Sequence, residues 1–85
     1  MNTKLFVLTV VTCFDGVLST ETALFADLID AKIRFGEEYR YHIKQAPTAP
    51  SYDGYDSKNI LWFEVGETSQ KYWAQGVINE VSINC

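Results

Sequence analysis

Two apolar stretches constrain this 85-residue chain more than anything else in it. They are LFVLTVVTCF, residues 5–14, and NILWFEV, residues 59–65. In the first, Leu5, Val7 and Val11 fill one alternating set, and Phe6, Leu8, Val10 and Phe14 fill the other. Side chains along a strand point to opposite faces in turn. Such runs therefore read as interior strands covered on both faces. A further strand, VINEVSINC, closes the chain, with Val81 and Ile83 on one face. Lys4 before the first run resembles the start of a short secretory signal. The run is too short for that and no small-x-small cleavage site follows it. A buried strand rich in β-branched residues is the reading taken.

Between these strands the pattern changes. Asp15 and Gly16 signal a turn. Ser19 or Thr20 then caps a predicted helix through ETALFADLID, residues 21–30, with Leu24, Phe25, Leu28 and Ile29 as its apolar stripe and Asp27 and Asp30 opposite. In residues 31–44 the odd positions carry Ala31, Ile33, Phe35, Tyr39, Tyr41 and Ile43, while Lys32, Arg34, Arg40, His42 and Lys44 sit at even ones. That period of two predicts a hairpin turning at Gly36–Glu38, or one long bent strand. A loop, APTAPSYDGYDSKN, follows at 46–59. A short helix is predicted over TSQKYWAQ, residues 68–75, capped by Thr68 or Ser69 and stopped by Gly76. The result is a single α+β domain over 1–85, with a mainly antiparallel sheet of four to five strands and two helices. Its βαββαβ order resembles the ferredoxin-like arrangement.

Little in the chain points to catalysis. His42, the single histidine, alternates with Arg40 and Lys44 and reads as a surface residue. Cys13 reads as an inert core thiol, since nothing beside it in sequence lowers its pKa. Cys13 and Cys85 lie at opposite ends of antiparallel neighbouring strands in this layout, too far apart for a disulfide. Glu37 with Glu38, and Asp53 with Asp56, read as solvated turn acids, because acid–base work needs a desolvated carboxyl. No phosphate-loop, dinucleotide or zinc-protease motif occurs, and DGYDSKN lacks the spacing of a calcium loop. No cofactor and no metal are expected, and the chain reads as a non-enzyme.

Binding is the remaining class. The formal net charge of −4 opposes direct nucleic-acid binding, which needs a basic face. No stretch approaches a membrane span. In the 46–59 loop, Tyr52 and Tyr55 offer rigid contact area, Asp53 and Asp56 add charge, and two prolines limit the loop's conformations. Asp27, Asp30, Glu37 and Glu38 extend the acidic set in imitation of phosphate spacing. The partner expected is a protein with a basic, nucleic-acid-binding surface. In size, charge and style the chain is similar to the inhibitors phages encode against host machinery, such as anti-CRISPR and anti-restriction proteins. That resemblance implies an inhibitor acting in the cytoplasm, the host's if the chain is phage-encoded. The alternative is a homo-oligomeric small-molecule sensor or small enzyme subunit, because two short helices leave a second sheet face to be covered. A homodimer belongs to that reading.

Overall fold

The computed structural model describes residues 2–56, 59–67 and 71–84. The element order is β1 (Asn2–Phe14), β2 (Val17–Phe25), α1 (Leu28–Gln45), β3 (Ser51–Gly54), β4 (Leu61–Gly66) and β5 (Tyr72–Asn84). The expected α+β class and antiparallel sheet are present. The βαββαβ order is not: the chain runs ββαβββ, and the described residues contain one helix. The five strands lie in the order β2-β1-β5-β4-β3, with every pair antiparallel. That helix is not long and apolar enough to cross a membrane.

The first departure from expectation starts at Asp15 and Gly16. Both take positive φ, 53° and 84°. Two consecutive residues in that region make the primed turn whose twist matches a hairpin. Phe14 therefore pairs with Val17, and residues 17–25 return along β1 as a strand. The helix starts later. Asp27, at φ −121° and ψ 130°, accepts a 2.7 Å hydrogen bond from the Ile29 amide and caps it. Asp30 in the first turn and Lys44 in the last complement the helix dipole. The predicted hairpin at 31–44 is thus one continuous helix, with Glu37 and Glu38 in its middle rather than in a turn. The predicted helix at 68–75 also fails, since β5 already begins at Tyr72. Its proposed caps, Thr68 and Ser69, lie outside the described residues.

Helix α1 turns Ala31, Phe35 and His42 onto the sheet, with Tyr39 half-buried beside them. They meet Leu8 and Val10 of β1, Phe63 and Val65 of β4, and Ala74 and Ile78 of β5. Phe63 is the centre of this core. Its ring stacks on Tyr39 at 5.0 Å and meets Phe35 edge-on at 5.2 Å. Gly76 lies against an edge of that ring, where a side chain would collide with it. Each fully buried aliphatic or aromatic side chain here contributes about 1.5–3 kcal/mol relative to exposure.

Among the described residues, no helix covers the opposite face of the sheet. The strand registers place Leu5, Val7 and Val11 on it, with Leu18 and Leu24 of β2 and Val77 of β5 beside them. The two-sided strands anticipated from sequence are therefore real, yet the structure covers one of their two sides. Cys13 also faces this open side and is a free thiol, paired across the ladder with Trp73. Asn84 pairs with Asn2 at the far end of the same ladder, and Cys85 lies outside the described residues.

Candidate functional site

Helix α1 lies across β5 and β1 and reaches both β4 and β2, leaving a gap beside Ser19 and Glu21 of β2. A cleft of about 400 Å³ opens there. Val10, Thr12 and Phe14 of β1 form its floor, and Ser19 and Glu21 of β2 one wall. Glu38, Tyr41, His42 and Gln45 of α1 and Tyr72 of β5 form the other. A second hollow of about 300 Å³ continues along the groove past Glu21 and Glu38 to Arg34. The cleft exists because odd-numbered residues of β2 face the helix side of the sheet, and Ser19 and Glu21 are too polar to draw the helix down onto them.

His42 is the buried polar residue of this wall, only 4% exposed. This corrects its reading as a surface residue: on a helix it shares a face with Phe35 and Glu38, not with Arg40 and Lys44. Its Nδ1 hydrogen-bonds to the Tyr72 hydroxyl, and its Nε2 lies 3.7 Å from Glu38 Oε2. Burial lowers the His42 pKa from its ordinary value, and the nearby carboxylates of Glu38 and Glu21 only partly oppose that. The ring is therefore neutral near pH 7. The carboxylate beside Nε2 favours the tautomer protonated there, leaving Nδ1 to accept from the phenol. Burial also raises the Tyr72 pKa, assisted by Tyr41 and Glu38, so that hydroxyl stays protonated and able to donate. No buried side-chain nitrogen or oxygen among the described residues lacks a hydrogen-bond partner.

The arrangement suits holding a ligand better than attacking one. Both imidazole nitrogens already face protein groups, and the free thiol of Cys13 lies on the other side of the sheet. What the cleft offers is negative charge beside aromatic rings. Glu38 pairs with Arg34 at 3.2 Å. Glu21 forms no ion pair among the described residues, so its carboxylate is available to a cation. Phe14, Tyr41 and Tyr72 line the same space. The Phe14 ring already carries a cation, Lys71, whose Nζ stands 5.7 Å from its centroid. Among the described residues no group of three or more His, Cys, Asp or Glu is placed to hold a metal.

Of the eight acidic and tyrosine residues singled out by sequence, Glu38 lines this cleft. Asp27 is a helix cap, and Asp30 and Glu37 are exposed on α1. Tyr52 and Asp53 lie exposed on β3, at the sheet edge opposite β2, and Tyr55 just beyond it is 81% exposed. Asp56 accepts hydrogen bonds from the Asn59 amide at 2.8 Å and from Asn59 Nδ2 at 3.3 Å, closing the loop. Part of the loop is thus edge strand and turn, and the acidic residues are divided between the helix and the β3 edge. Glu21, His42 and Tyr72 were missed because each sat in a wrongly assigned element. The i, i+4 pairs Glu38–His42 and Arg34–Glu38 were the available signal.

Comparison with family models, curated proteins and solved structures finds no match.

Proposed function

We propose that the chain is a non-catalytic binding protein that receives a basic side chain of a partner protein in the cleft between α1 and β2. The observation that carries this reading is the unpaired Glu21 carboxylate, placed across the cleft from Glu38 and among aromatic rings. A guanidinium group matches both features: it binds carboxylates through a fixed fork of donors and stacks on aromatic faces. A net charge of −4 favours approach of a basic partner, so a protein with a nucleic-acid-binding surface fits the source of that side chain. Inhibition of such a protein, as phage-encoded inhibitors of host machinery perform it, is the biological role this reading supports. Tyr52, Asp53 and Tyr55, at the far edge, are exposed and add a second contact area.

Three probes test the reading by NMR: acetyl-arginine amide, its uncharged citrulline analogue, and a short arginine-containing basic peptide. The arginine probe is expected to shift resonances of Thr12, Ser19, Glu21 and Tyr41, and Glu21→Gln to weaken it about tenfold. Equal binding of the citrulline analogue would remove the electrostatic argument. A peptide that binds no tighter than acetyl-arginine amide would point to a free small cation, and so to a sensor, and would overturn the protein-partner reading.

A further inference from the structure

The open face of the sheet has a composition that solvent does not explain. In a sheet with one solvated face, outward positions are expected to be polar. Here they include both tryptophans of the chain, Trp62 and Trp73, with Val7, Val11 and Val77 in the centre. Leu18 and Leu24 are 70% and 65% exposed on β2, while Val81 and Ile83 stand out at the far end. Charge is nearly absent. Among the described strand residues, Glu64 is the single Asp, Glu, Lys, Arg or His on this face, and its carboxylate accepts the Trp73 indole N–H at 2.9 Å. The remaining positions are chiefly threonine, asparagine and glutamine. The acidic residues responsible for the net charge lie on the helix side, on the edges and in loops.

We infer that this face is a homodimer interface, closed by a second copy packing sheet against sheet. Its occupant must be uncharged, broad and twisted with the same hand. A second copy supplies all three properties, and identical twisted sheets pack face to face about 10 Å apart with strands inclined by roughly 30°. Size agrees. The molecule measures 46 × 21 × 21 Å, and the sheet face extends along its longest dimension. That provides the ~800 Å² per partner that stable interfaces bury. The two Glu64 side chains do not prevent closure, because each is held by its own Trp73. The cleft at α1 lies on the other side of the sheet and stays open in such a dimer, so this inference does not depend on the cleft's ligand.

Light scattering coupled to size exclusion is expected to give about twice the monomer mass of 9.7 kDa, falling toward one on dilution. Trp62 and Trp73 report the surface directly. Their emission is expected to shift to the red, and acrylamide quenching to increase, over the same dilution range. Thr9→Lys puts an ammonium group at the centre of the face, between Val77 and Thr22. It is expected to weaken association by at least about a hundredfold, since the buried charge would have no partner. Thr48→Lys, the same change in the exposed loop after α1, is expected to leave association intact. A monomer at every concentration overturns the inference. So does a dimer whose tryptophan emission and quenching ignore dilution, or one in which Thr9→Lys associates as the unmutated chain does.

Discussion

Gly76→Ala tests the core arrangement most directly. A methyl group on Gly76 would lie 2.6 Å from Cζ and 2.8 Å from Cδ2 of Phe63, well inside the van der Waals contact of carbon atoms. The ring has no room to retreat. Tyr39 is stacked on it at 5.0 Å, Phe35 meets it at 5.2 Å, and Phe63 itself is 0% exposed. Overpacking of this kind costs about 1–3 kcal/mol, and the immobility of Phe63 sets the value near the upper end. Against it stands a gain of about 0.4–1 kcal/mol from restricting the unfolded chain. The net loss is about 2 kcal/mol, which lowers Tm by about 8–16 °C in a domain of this size. Urea unfolding followed by circular dichroism, at one protein concentration, measures it. The midpoint should fall with an unchanged slope. Phe63→Leu removes the colliding ring edge, so combining the two substitutions should cost less than their sum by at least ~1 kcal/mol. A Gly76→Ala variant as stable as the parent, or strict additivity with Phe63→Leu, would refute the close approach of ring and backbone.

Two further outcomes follow from the helix. Asp27→Ala should cost about 1 kcal/mol by removing the cap on the Ile29 amide, whereas Asp27→Ser should retain most of it; thermal melts in which both variants match the parent would contradict the cap. His42 makes stability depend on pH in a defined direction. Its folded pKa is lowered below 6.5, so between 6.5 and that folded value the unfolded chain binds a proton that the folded chain resists. The contribution of neutral His42 is therefore complete above pH 6.5 and is lost as pH falls below it. The stability difference between the parent and His42→Phe should shrink over that range, and a flat difference would sink the assignment.

β1, β4 and the second half of β5 were legible in the sequence, β1 and β4 because they are rich in β-branched and aromatic residues on both alternating sets, whereas β2, β3 and the start of β5 were not. The antiparallel adjacency of β1 and β5 was also anticipated. The helix was not, for a specific reason. Its buried positions are Ala31, Phe35 and His42, but its solvent face also carries apolar residues: Ile29, Ile33 and Tyr41 are 68%, 56% and 55% exposed. Two apolar faces on one helix place such residues at nearly every odd position and imitate a strand. Conversely, Leu24, Phe25, Leu28 and Ile29 have helical spacing, yet the first two end β2 and the last two begin α1. The Asp15-Gly16 turn was the decisive signal. Read as a two-residue hairpin it would have fixed β2, moved the helix start to Asp27, and placed His42 on the buried face. The cleft then depends on which residues of β2 face α1. That is a property of register and follows from no local pattern.

The long ladder between β1 and β5 has a consequence for synthesis. It joins β1 to β5, far apart in sequence, so the centre of the sheet has to wait until β5 has been made. At about 5–20 residues per second, the stretch between the end of β1 at Phe14 and the end of β5 at Asn84 takes several seconds to translate. Through that interval the nascent chain has at most the β1–β2 hairpin, the helix and the β3–β4 pair. Leu8 and Val10 wait beside an unpaired strand edge, without Ile78 or Ala74 of β5 to cover them. Non-local pairing of this kind also slows folding after release. Exposure to chaperones and to other nascent copies is thus set by the order in which the strands leave the ribosome, whatever the stability of the finished molecule.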